Sequence, residues 1–188
     1  MNKYIAPYFA TRARRITAVV IVATFAFFAA LLAVMFYQKS VATSWPTPFH
    51  FPSILMSFTL VMLGLCASIT FAIGAHLAPQ PDREPAVRWI AVSISSWFIF
   101  LFLEVVEWVR LIWLERLGPD TPFGGTFLML AGTHWIAATA CLGWFAWGAV
   151  DVGKRDLLAA ALYSHFLNLW WIILWFSLYV TNADLAGF

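Results

Sequence analysis

The sequence predicts an all-α integral membrane bundle of five transmembrane helices in a single domain spanning residues 1–188, and three observations carry that reading. The composition suits lipid better than water: 63% of the 188 residues are hydrophobic and 11% are charged, with a mean hydropathy of +0.84. A soluble domain carries about 25% charged residues. Five apolar runs of 23 to 25 residues follow one another, at about 16–38, 53–77, 89–113, 126–149 and 158–181. Roughly 20 helical residues suffice to cross a ~30 Å hydrocarbon core. The runs hold 121 residues with only three charges, and the other 17 charges fall in the remaining 67 residues. Backbone polar groups in lipid must be satisfied within their own segment, so the runs are helices. A water-soluble domain and a secreted disulfide scaffold are excluded, and a net charge of +2 is too small to point to nucleic acid. Cys66 and Cys141 sit inside apolar runs and read as free, buried thiols.

The first run follows Lys3, Arg12, Arg14 and Arg15. Ser40-Val41-Ala42 imitates a signal cleavage site, but the apolar stretch exceeds a signal core of about 7–15 residues, so it reads as a retained helix. Ala18, Ala26, Ala29 and Ala33 give it a small-residue side that permits close helix approach. Pro46, Pro48 and Pro52 precede the second run, Pro79, Pro81 and Pro85 the third, and Pro119 and Pro122 the fourth, all in connections or helix starts. On the third run Glu104, Glu107 and Arg110 step by three residues and share a face. The fourth carries Thr133 and His134, with Gly132, Ala140 and Gly143 as small side chains. The fifth bears one stripe of His165, Asn168, Trp171 and Trp175.

Lysine and arginine set the orientation. Eight lie on one side (Lys3, Arg12, Arg14, Arg15, Arg83, Arg88, Lys154, Arg155) and two on the other (Lys39, Arg116). This places the N-terminus in the cytoplasm and the C-terminus outside. Trp45, Trp113, Tyr179 and Phe188 then frame the outer interface, and Tyr4, Tyr8, Trp89 and Trp147 the inner one.

Polar groups inside a membrane are expensive and mark function or structural pairing. With each run centred on the midplane and ~1.5 Å per residue, Glu104 and His134 lie about 5 Å to the outer side and Glu107 about 9 Å. His165 lies about 7 Å and His76 about 16 Å to the inner side, and His50 falls in an outer loop. No two histidines are level for a bis-histidine haem, and the paired Glu-x-x-His of a di-iron bundle is missing. The residues favour Glu104 or Glu107 paired with His134, and an ion pair between Glu107 and Arg110. A lipid headgroup contact, a place beside a partner's proton path, or a stand-alone membrane enzyme or small transporter built on Glu104, Glu107 and His134 stay open.

Four ordered landmarks between residues 104 and 171 resemble subunit III of the haem-copper oxidases, in the divergent five-helix bacterial form. Glu104-Val105-Val106-Glu107-Trp108 is similar to the family's Gln-Ala-x-Glu-Tyr/Trp, and Phe123-Gly124-Gly125-Thr126-Phe127 to its Tyr/Phe-Gly-Ser-Thr-Phe. Gly132-Thr133-His134-Trp135-Ile136-Ala137 resembles Gly-Phe-His-Gly-x-His. Tyr163-Ser164-His165-Phe166-Leu167-Asn168-Leu169-Trp170-Trp171 resembles Tyr-Trp-His-Phe-Val-Asp-x-x-Trp. Nearer the N-terminus, Thr24 to Leu31 is similar to a Glu-x-x-x-Phe-x-Ala-Leu segment. Thr24, Ala137, Glu104 and Asn168 depart from the family's glutamate, second histidine, glutamine and aspartate.

The resemblance implies a non-catalytic accessory subunit of a respiratory terminal oxidase in the bacterial inner membrane. It would pack on the catalytic subunit I, with oxygen reduction coupled to proton pumping, and hold phospholipid. This chain itself would bind no haem or copper, which reside in partner subunits. The equivalent subunit of a nitric oxide reductase or of a respiratory supercomplex is the variant reading. Glu104, Glu107, Arg110, His134, His165, Asn168 and Trp171 are the candidate interior polar or lipid-binding contacts.

Overall fold

A computed structural model describes residues 11–45, 51–150, 152 and 156–182, with the main chain only for 51–53. It contains five long helices: α1 (Arg12–Val41), α2 (Phe51–Leu77), α3 (Glu84–Trp113), α4 (Pro122–Ala149) and α5 (Leu157–Leu178). A short 3-10 turn at Val180–Asn182 follows α5. All five helices are long and apolar enough to cross a membrane, as the composition requires. Lys3, Tyr4, Tyr8, Pro46, Pro48, His50, Lys154, Arg155 and Phe188 lie outside the described residues.

The helices overrun the apolar runs at several ends, because hydropathy marks hydrocarbon whereas helices stop at caps. The Thr11 hydroxyl accepts from Arg14 N–H at 3.2 Å, so α1 starts four residues before its apolar run. The Thr121 hydroxyl caps α4 by accepting from Gly124 N–H at 3.0 Å. These are the usual capping residue types, and Pro122 and Pro85 sit in first turns where no N–H is needed. A side chain at Gly124 would meet the Gly118 carbonyl at 2.0 Å, so only glycine lets the loop close against the helix start.

Successive helices run antiparallel, and α5 is the hub. Trp175 Nε1–H donates to Ser57 of α2 at 3.0 Å, and Trp97 Nε1–H of α3 donates to Ser164 at 3.3 Å. The α2–α3 hairpin is the most extensive helix pair. It is fastened by the Ser93 hydroxyl donating to the Ala67 carbonyl at 2.7 Å. Phe71 of α2 stacks on Phe145 of α4 with ring centres 3.5 Å apart. Lipid tails are as apolar as leucine, so such packing and interhelical hydrogen bonds drive association rather than exclusion from water.

Helix α1 is the most lipid-exposed helix and packs on α4 and α5. Polar contacts rivet both of its ends. Arg14 Nε donates to both carboxylate oxygens of Asp156, at 3.0 and 2.9 Å, and Thr11 also donates to Asp156. At the far end Thr126 donates to Gln38, and Lys39 Nζ donates to Asn182 Oδ1 at 2.7 Å. Midway, buried Phe28 stacks on Trp170, ring centres 5.1 Å apart.

One expectation needs correction. Cys66 is exposed on the outer face of α2, and only Cys141 is buried, because an apolar run in a membrane bundle has a lipid face as well as a core face. Tyr179 is fully buried against Phe127, at the bundle end where α4 begins. Of the small residues, Ala26 and Ala33 on α1 and Ala140 and Gly143 on α4 face outward, while Ala18, Ala29 and Gly132 are half-buried, so the inner members pack within the bundle and the outer ones face lipid or a partner.

Candidate functional site

Between α3, α4 and α5 the bundle buries an unusual amount of polar surface. Glu104, Glu107 and His134 are each no more than 1% exposed. Glu107 forms the expected pair: Arg110 Nε donates to its Oε2 at 2.8 Å and the second guanidinium nitrogen to Oε1 at 2.9 Å. Arg110 also reaches Glu115 at 3.1 Å. The fork-on-fork geometry is the strong form of this interaction. The i,i+3 spacing puts both side chains on one face of α3, in its last turns before the α3–α4 loop.

The expected pairing with His134 does not form. Neither oxygen of Glu104 accepts a hydrogen bond from any described residue. His134 instead donates its Nε2–H to the Leu167 carbonyl at 3.2 Å. The imidazole sits among Phe28, Phe100 and Trp171, with ring centres 6.5, 5.9 and 4.8 Å away. The reason is register. Trp135 Nε1–H donates to the Leu101 carbonyl at 3.3 Å, so α4 around 134–135 is level with α3 around 100–101. Centring each apolar run on the midplane had placed Glu104 there, one turn too far along.

The α5 stripe divides in the same way. Trp171 and Asn168 are buried, Trp175 is half-buried, and His165 faces outward. Asn168 lies over Gly64 of α2, where an added Cβ would stand 2.4 Å from its Oδ1. His165 joins His76 and Arg14 around a cavity of about 220 Å³, with Ala72, Leu158, Ala161 and Leu162 as its apolar wall. Three basic side chains from α1, α2 and α5 thus meet at one mouth. The spacing of the sequence had not linked His76 or Arg14 to His165.

Sequence reasoning also missed the Asp156 and Asn182 contacts that secure α1. The available signal was a lone acid just ahead of α5, level with the basic start of a parallel helix. Among the described residues no three of His, Cys, Asp or Glu come together as a metal-ligand group. The arrangement offers interior polar contacts, an aromatic-caged imidazole and a basic cavity.

No family model matches the chain. It is 25% identical over 163 residues to the cytochrome bo(3) ubiquinol oxidase subunit 3 of Pseudomonas aeruginosa, covering 82% of this chain and 76% of that protein. It is 23% identical over 161 residues to the quinol oxidase subunit 3 of Bacillus subtilis, covering 81% and 79%. To the "Probable cytochrome c oxidase subunit 3" of Mycobacterium tuberculosis it is 24% identical over 162 residues, covering 81% and 80%.

Proposed function

We propose that this chain, which belongs to the subunit 3 family of the haem-copper quinol and cytochrome c oxidases, supports a catalytic subunit without performing the redox step. The observation that carries the reading is sustained similarity over about four-fifths of the chain to proteins named as oxidase subunit 3. The interior agrees in kind. The imidazole of His134 holds α4 to α5 through the Leu167 carbonyl, a structural contact of the kind an accessory subunit would have, and the same reading assigns haem and copper to the partner subunits. Coupling of the partner's chemistry to proton pumping belongs to the same proposal.

The basic cavity is where we place a phospholipid headgroup. Arg14, His76 and His165 supply positive and hydrogen-bonding groups, and the apolar wall below them suits an acyl chain. The excess of Lys and Arg at this bundle end supports assigning it to the cytoplasmic face of a bacterial inner membrane. A phosphate there would meet Arg14 already steadied by Asp156.

The test is to purify the tagged full-length chain from its native membrane in mild detergent. A haem-containing oxidase should accompany it, identified by mass spectrometry of the intact complex, and its absence defeats the proposal. Lipid retention is measured on the same complex. His165→Ala should lower bound phospholipid while the haem spectra stay unchanged.

A further inference from the structure

We draw no further inference here: the strongest candidate, the outward alanine seam of α1 (Ala23, Ala26, Ala30 and Ala33), is an unpartnered apolar face, and nothing in the structure shows what covers it.

Discussion

Phe100, one turn ahead of Glu104 on α3, is the residue that stands level with His134, the two rings meeting edge to face at 5.9 Å. That contact fixes how α3 and α4 slide against each other. A four-residue step along a helix is about 6 Å, enough to carry Glu104 past the imidazole and leave the two polar groups unjoined. His134 is therefore held by shape, among three aromatic rings and one carbonyl.

A slightly larger apolar ring should then replace it at modest cost. His134→Phe is expected to lose about 1–3 kcal/mol, one hydrogen bond and a small overpacking of the cluster. His134→Ala opens a cavity in a close-packed aromatic cluster and should cost about 3–5 kcal/mol. Thermal unfolding of the complex in detergent compares them. Equal damage from both variants would mean that the imidazole nitrogen acts in its own right, as the enzyme or transporter reading requires.

Glu104 gives the opposite expectation. A fully buried carboxyl with no hydrogen-bond partner among the described residues opposes folding, so Glu104→Met, similar in length and apolar, should stabilise the chain by about 1–3 kcal/mol. Thermal unfolding measures the change, and oxidase turnover of the same complex should be retained. A destabilised Glu104→Met complex would show that the carboxyl has an essential partner.

The pair one turn on should behave as a unit. Glu107→Ala strands the Arg110 guanidinium, which is about one-third exposed and keeps Glu115, so the cost is about 1–2 kcal/mol rather than that of a fully buried break. Arg110→Leu in the Glu107→Ala background should recover most of it in a double-mutant cycle. Additive losses would place the two residues in separate interactions.

The bundle was legible in the sequence because lipid imposes one rule on every residue of a span. Apolar length gave five helices, and the i,i+3 step from Glu107 to Arg110 gave their ion pair. What depends on the relative slide of two helices was not legible. The midplane estimate could not place Leu101 opposite Trp135, and so it paired Glu104 with His134. Nor does hydropathy separate a core face from a lipid face, which is why Cys66 stands on the outside of α2 against expectation. The cavity at Arg14 joins three helices whose basic residues are up to 151 positions apart, a meeting that depends on the packing of α5 as hub.

The closest such dependence lies where α2 crosses α5. The Oδ1 of Asn168 rests over Gly64, and a methyl group there would stand 2.4 Å from it. Gly64→Ala should therefore push the two helices apart or turn the amide aside, at about 1–3 kcal/mol. Outside its own helix, a Cβ added at Gly64 would meet only the Asn168 side chain within 4 Å, so shortening that side chain should relieve the clash. Asn168→Ala combined with Gly64→Ala is expected to unfold at a higher temperature than Gly64→Ala alone, although Asn168→Ala by itself removes packing. If the second substitution only adds to the damage of the first, the close approach of Asn168 to Gly64 is not what sets the α2–α5 distance.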